Sequence, residues 1–152
     1  MIHVSADRLI DAPASTVYGY VADMREHHPH FLPAAFSDFE VESGGVGEGT
    51  VTRFKVTAGG RSREYQMRIA EPEPGRVLTE SDANSSLVTT FAVTPEGKQS
   101  RVRITTTWQG AGGVGGFFER LFAPRAMRGI YADELERLNA YARERGAPGP
   151  AA

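Results

Sequence analysis

Apolar and polar side chains alternate in short segments across the middle of the chain, and glycine or proline separates one segment from the next. Such alternation is typical of strands that bury one face, because successive side chains of a strand point to opposite sides. The predicted strands are His3–Ile10, Phe39–Val41, Thr50–Thr57, Arg63–Ile69, Val77–Ser81, Leu87–Val93 and Arg101–Trp108. Since most of the breaks between them are short, we expect antiparallel pairing of neighbouring strands.

The alternation also predicts which face of this sheet is buried. One face is apolar and aromatic with a few threonines, and the other is charged and rich in threonine. The predicted inner positions are Thr52, Phe54, Val56, Tyr65, Met67, Ile69, Leu87, Thr89, Phe91, Val93, Val102, Ile104, Thr106 and Trp108. The pattern therefore indicates an antiparallel sheet with one face in water and one face covered.

Helical spacing is predicted at two places. After the first strand, Pro13 opens a short helix, and residues 23–33 fit a second short helix or turn followed by a loop. The chain closes with a long amphipathic helix, predicted from Phe117 to Arg145, whose apolar residues recur every three or four positions. Because proline inside a helix costs about 3 kcal/mol, Pro124 should separate a short turn, Phe117–Ala123, from the main helix.

One helix laid across a curved sheet covers it incompletely, so we expect a cavity between the helix and the sheet. Large rings, methionines and a few polar groups face this space, as is usual in small-molecule sites. The candidate ligand-binding residues are Phe54, Arg63, Tyr65, Met67, Phe91, Thr106, Trp108, Phe122, Met127 and Tyr131. Two alternatives stay open. In the first, the rings form an ordinary core and contact no ligand. In the second, Arg63 reaches solvent at a strand edge and does not face the cavity.

Length and composition narrow the class of protein. The 152 residues suit one domain. We predict this domain over residues 1–145, with a disordered tail over 146–152. A formal net charge of -2 argues against a nucleic-acid partner, and the absence of cysteine excludes disulfides and thiolate metal ligands. Without a signal-peptide core or a stretch of roughly 20 apolar residues, a cytosolic protein is expected.

Two motifs resemble cofactor sites. Residues 110–115 match G-x-G-x-x-G, but no second parallel strand follows to supply a ribose-binding acid, so we interpret them as a flexible link. His27, His28 and His30 lie close together in sequence but lack the spacing of a closed zinc site. We expect neither metal nor cofactor. An alternative places one of these histidines at the mouth of the cavity, bonded to a ligand carbonyl.

Catalytic chemistry is not evident from spacing. No serine or cysteine is paired with an obvious base, and no pair of carboxylates has a diagnostic separation. The acid–base candidates are Arg63, Tyr65, Glu80 and one of the three histidines. The apolar turn Phe117–Ala123 suits a flap beside the cavity, and membrane contact through it ranks second. The sequence does not predict the oligomeric state.

Three segments resemble those of the START-like superfamily, whose helix-grip fold is shared by birch-pollen-allergen and polyketide-cyclase relatives. Residues 10–18 resemble its strand-to-helix junction, His30–Pro33 the segment after its second helix, and Gly44–Gly49 a glycine-rich hairpin. The resemblance spans about residues 2 to 145. It implies an α+β fold in which a curved seven-stranded antiparallel sheet wraps around the C-terminal helix, with two short helices after the first strand.

The resemblance also implies a class of function. Members of this superfamily hold lipids, sterols, hormones, quinones or polyketides between sheet and helix, and some are cyclases or dehydratases. We predict binding of a small hydrophobic molecule (lipid, polyketide, isoprenoid or quinone-like) in the cavity. The alternative is a polyketide cyclase or dehydratase that acts on an aromatic or poly-β-keto substrate in the same place.

Overall fold

Within the residues that the structure describes, the chain forms seven strands, two α-helices and one short 3-10 helix. The computed structural model describes residues 1–58, 60–109 and 124–146. The elements are β1 Ile2–Ile10, α1 Ala14–Ala22, the 3-10 helix His28–Phe31, β2 Phe36–Ser43, β3 Val51–Ala58, β4 Arg61–Glu73, β5 Val77–Asp82, β6 Val88–Glu96, β7 Gln99–Trp108 and α2 Pro124–Gly146. The predicted order of strands and helices is confirmed.

All seven strands form one antiparallel sheet in the order β1-β7-β6-β5-β4-β3-β2. Consecutive strands from β2 to β7 pair with one another, and β1 forms the opposite edge of the sheet by pairing with β7. With its curved sheet and long C-terminal helix, this is the α+β helix-grip architecture that the sequence predicts.

The predicted inner face is buried throughout the central strands. In β3, for example, Thr52, Phe54 and Val56 are buried, whereas Lys55 is exposed. Phe54 lies directly opposite Tyr65 on β4, and their ring centroids are 5.6 Å apart. Cross-strand aromatic pairs of this kind hold the register, because a one-residue slip would turn every inner side chain outward.

The edge strand β2 departs from simple alternation, and the structure extends it beyond the predicted Phe39–Val41. Its register with β3 shifts between Ser37 and Glu40, where Asp38 takes a positive φ of 54°. A bulge of this kind adds a residue to one strand. It therefore turns Phe36 and Phe39 toward the same face, although three-residue spacing in a regular strand would oppose them. Both rings contact Phe54, at 5.3 and 6.1 Å between centroids.

Helix α2 lies closest to β1 and to the 3-10 helix. Its buried residues follow helical spacing: Met127, Tyr131, Glu134, Leu135, Leu138 and Ala142. The helix reaches Gly146, one residue beyond the predicted domain end. The predicted turn Phe117–Ala123, its Phe122, the motif at 110–115 and the tail from 147 lie outside the described residues. Within the described part, no helix has the length and apolar character of a membrane span.

We expect Leu138→Ala to lower the free energy of unfolding by about 2–5 kcal/mol, because it leaves a void beneath α2. Leu138 is 1% exposed. The matched control, Glu136→Ala, changes an exposed position of the same helix and should stay within about 0.5 kcal/mol of wild type. Urea denaturation measures both. Equal losses in the two variants would contradict the predicted packing.

Candidate ligand-binding cavity

A cavity lies between the inner face of strands β2 to β6, the 3-10 helix and α2. Its lining is mostly apolar and includes His28, Leu32, Phe36, Phe39, Phe54, Val56, Tyr65, Met67, Glu80, Leu87, Thr89, Phe91, Met127, Ile130, Tyr131 and Glu134. Because α2 lies closest to β1, at one edge of the sheet, it covers the other strands less closely. The cavity volume is about 60 Å³, room for about four waters.

The structure brings six of the predicted site residues together in this lining: Phe54, Tyr65, Met67, Phe91, Met127 and Tyr131. Three others lie elsewhere. Thr106 is fully buried and bonds to Tyr131, and Trp108 is buried at the end of β7 without lining the cavity. Arg63 lies beside Tyr65, with its guanidinium carbon 5.0 Å from the ring centroid.

A chain of hydroxyl groups links α2 to the sheet at the cavity wall. The Oγ1 atoms of Thr89 and Thr106 are 2.7 Å apart, and Thr106 Oγ1 also bonds to the Tyr131 hydroxyl. Burial raises the pKa of Tyr131 to about 12, so this phenol stays protonated near neutral pH. The threonine pair, which the sequence places on the inner face, thus holds Tyr131 in position.

Two carboxyl groups also line the cavity, Glu80 from β5 and Glu134 from α2. Their residues are only 8% and 3% exposed. Burial raises the pKa of Glu80 to about 7. Burial, followed by the nearby charges of Glu80 and Asp133, raises the pKa of Glu134 well above its usual range. Desolvation penalises the ionised form, so protons are held far more tightly here than by surface carboxyls.

His28 faces Glu134 from the 3-10 helix. Its Nδ1 atom is 2.7 Å from the Val21 carbonyl oxygen. A carbonyl only accepts, so Nδ1 carries the proton of the neutral ring and Nε2 presents its lone pair. Nε2 lies 3.7 Å from Glu134 Oε2, longer than a hydrogen bond. Burial lowers the pKa of His28 to about 4, which keeps the imidazole neutral.

The three neighbouring histidines diverge. The Nδ1 of His27 lies 2.7 Å from the Tyr141 hydroxyl, and His30 stacks on the Tyr141 ring at 5.6 Å between centroids. Only His28 points inward. Across the residues that the structure describes, no group of three potential metal ligands converges.

Sequence reasoning missed Glu134 as a site residue, although a signal was present. Met127, Tyr131, Glu134 and Leu138 follow one another at helical spacings of four, three and four, so Glu134 occupies a position in the apolar stripe. Strand β5 is too short for alternation to show which way Glu80 points; the structure places it on the buried face of β5 between Leu78 and Asp82. Phe36 and Phe39 were missed because the bulge in β2 is not visible from alternation.

The family to which this architecture belongs follows from comparison with known proteins. The family model for polyketide cyclase/dehydrase and lipid transport matches residues 1–143. The chain belongs to this family. Its predicted resemblance to the START-like superfamily is thereby confirmed. Membership supports hydrophobic-ligand binding or cyclase activity in general terms. A comparison with curated proteins gave no match.

Solved structures agree with this assignment. The solution structure of the KanY protein is 36% identical, with a TM-score of 0.83, and the alignment covers 93% of this chain and 97% of that one. The di-domain ARO/CYC BexL is 23% identical (TM-score 0.72; 97% of this chain, 48% of that one). Norcoclaurine synthase from Thalictrum flavum is 18% identical (TM-score 0.72; 97% and 89%). The last two likenesses show a shared fold.

Glu80 should make the stability of the fold depend on pH between about 4.5 and 7. In that window native Glu80 keeps its proton while the unfolded chain releases it, so the free energy of unfolding falls as pH rises. Relative to Glu80→Gln, wild type should lose on the order of 2–3 kcal/mol across the window and little more above it.

Chemical denaturation at several pH values tests this. His28, whose lowered pKa acts in the opposite direction, and Glu134 are present in both proteins, so the difference between the curves reports mainly Glu80. The exposed Glu136→Gln is the control, and its curve should parallel that of wild type. Parallel curves for wild type and Glu80→Gln would contradict the placement of Glu80 in a low-dielectric site.

Proposed function

We propose that the chain binds a small hydrophobic ligand (lipid, polyketide, isoprenoid or quinone-like) in the cavity between sheet and α2. The observation that carries the proposal is the lining itself. Most of it is aromatic, aliphatic or thioether surface, and the polar groups among the described residues are few: His28, Tyr65, Glu80, Thr89, Tyr131 and Glu134. Apolar walls with a few polar groups are the usual make-up of a small-molecule site.

The apolar walls supply affinity because each Å² of apolar surface removed from water contributes about 25 cal/mol. The rings of Phe54 and Tyr65, already stacked on one another, offer flat surfaces for a ligand ring. A cavity of about 60 Å³ is smaller than the roughly 300–1,000 Å³ of typical ligand sites. Ligand entry therefore requires repacking, for which the flexible side chains of Met67 and Met127 are suited.

We expect the uncharged dye Nile red to bind saturably, with a fluorescence increase as it leaves water. Ile130→Trp should weaken its binding at least tenfold. Ile130 is a half-buried residue of α2 that lines the cavity, so a tryptophan ring at this position would fill part of the space that the dye needs. Ala132→Trp, two residues along and exposed, is the matched control and should bind as wild type does.

Displacement of the dye by lipids, isoprenoid alcohols and quinones then ranks the ligand classes, and mass spectrometry of the purified protein identifies any molecule that copurifies. The fluorescence of Trp108, the only tryptophan of wild type, gives an independent signal. If no ligand displaces the dye, or if both tryptophan variants bind equally well, the cavity is not the site.

A second function, cyclase or dehydratase, is favoured by one specific observation: a neutral imidazole and two proton-holding carboxyls meet in the cavity. His28 Nε2 is able to take a proton from a carbon beside a ligand carbonyl. A protonated Glu134 or Glu80 is able to give a proton to the carbonyl oxygen as the enol forms. The substrate then neither gains nor loses protons overall, which is the balance that general acid–base catalysis requires.

Turnover measurements separate the two functions. With poly-β-keto or hydroxylated aromatic substrates, an enzyme should lose at least about 100-fold in rate in Glu80→Gln while ligand affinity changes little. Tyr65→Phe and Arg63→Ala test the other acid–base candidates in the same assay. Glu136→Gln, at an exposed position of α2, is the control. Absence of turnover in wild type, with ligand binding intact, would leave binding alone.

A further inference from the structure

The described residues that line the cavity include acidic side chains but no basic side chain other than histidine. Among the described residues that line it there is no lysine or arginine, and there are two glutamates, Glu80 and Glu134. Histidine supplies the only other readily ionised group, and the imidazole of His28 is held neutral by burial. In ionised form, these two carboxylates would carry two negative charges without a fixed positive charge among the described residues that line the cavity.

Asp82, in contrast, is a buried carboxylate that pairs with a cation. It lies on the same face of β5 as Glu80, two residues further along. The Nη2 of Arg63 is 3.3 Å from its Oδ2 atom, and the Ser85 hydroxyl donates to the same oxygen at 2.6 Å. No described cation pairs with Glu80, and the nearest partner of Glu134 is the neutral His28.

Glu134 also carries an unused acceptor. Its side chain is 4% exposed, it lines the cavity, and its Oε2 atom has no hydrogen-bond partner among the described residues. A buried polar atom without a partner costs free energy unless a ligand supplies one. When the carboxyl is ionised, this atom is placed to accept a hydrogen bond from a ligand in the cavity.

Resting on the proposed binding function, we propose that the cavity takes hydrophobic ligands that end in a protonated amine, with the ammonium against Glu134 and Glu80. The apolar body would lie against Phe54, Phe91 and Met67. An ammonium brings three hydrogen-bond donors. It also brings the positive charge that no described residue places beside Glu80 or Glu134. Nearby aromatic faces attract it further. A ligand that ends in a carboxylate would meet like charge and is excluded.

The same arrangement makes amine binding depend on pH. The ionisable groups around Glu134 are His28 from the 3-10 helix, Glu80 from β5, and Tyr131 and Asp133 from α2 itself. Glu80 has a pKa of about 7, whereas an alkylamine keeps its proton to about pH 10. Amine affinity should therefore rise about tenfold from pH 6 to pH 8, as Glu80 ionises.

The test compares three ligands that share one skeleton: phenylpropylamine, phenylpropanol and phenylpropanoate. Isothermal titration calorimetry with the full chain at about pH 8 should give a dissociation constant for the amine at least tenfold below that of the alcohol. The carboxylate should show no binding. Lowering the pH to about 6 should weaken the amine but leave the alcohol unchanged.

Isosteric variants locate the effect. Glu134→Gln and Glu80→Gln should each remove the preference for the amine, so that amine and alcohol bind with similar affinity to the same variant. Glu136→Gln, an exposed glutamate on the same helix, is the matched control. Circular dichroism verifies that each variant is folded. The ligand series in wild type decides the question even if one variant fails to fold.

The outcomes separate the two proposals. If the alcohol binds and the amine binds no more tightly, the amine inference is wrong and the hydrophobic-ligand function stands. Tight binding of the carboxylate also overturns the inference. If none of the three ligands binds and Nile red does not bind either, the proposed function fails, and the inference fails with it.

Discussion

The incomplete cover that α2 gives to the inner face of the sheet is the constraint on which the rest of this structure depends. A seven-stranded face is wider than one helix, and α2 lies closest to β1 at one edge. The strands toward the other edge are therefore less closely covered by α2. Among the described residues, large rings on β2, β3 and β4 fill part of this space, and a cavity remains beside them. Core and site are thus one continuous layer, and the residues that stabilise the fold also line the site.

That layer also explains the ionisation behaviour of the site. Water is largely excluded between helix and sheet, so each carboxyl that faces inward must be compensated by a cation or must hold a proton. Asp82 is compensated by the guanidinium of Arg63. Glu80 and Glu134 hold their protons, since burial raises the pKa of both. Their proton affinity follows from position alone, and any polar ligand end that enters the cavity competes with those protons.

Much of the fold was predictable because alternation and helical spacing are local properties. The inner faces of β3, β4, β6 and β7 follow directly from residues such as Phe54 and Ile104, and burial confirms them. The bulge at Asp38 was not predictable, since a change of one residue in an edge strand leaves no compositional trace. The site was predictable in its apolar part. The orientation of Glu80 and His28 toward the cavity was not predictable, because contacts between residues distant in sequence determine it.

Glu134 is the residue that best separates stability from function. It occupies a position in the apolar stripe of α2, between Tyr131 and Leu138, where leucine would continue the core. A buried carboxyl with an unsatisfied oxygen is a poor stabiliser, and apolar substitutes for buried charged groups are often neutral or favourable. His28 does not offset the cost of burying this carboxyl, because its Nε2 atom lies 3.7 Å from Glu134 Oε2, which is too long for a hydrogen bond. The fold therefore gains little from Glu134, and this agrees with the proposal that an acid at this position serves a ligand in the cavity.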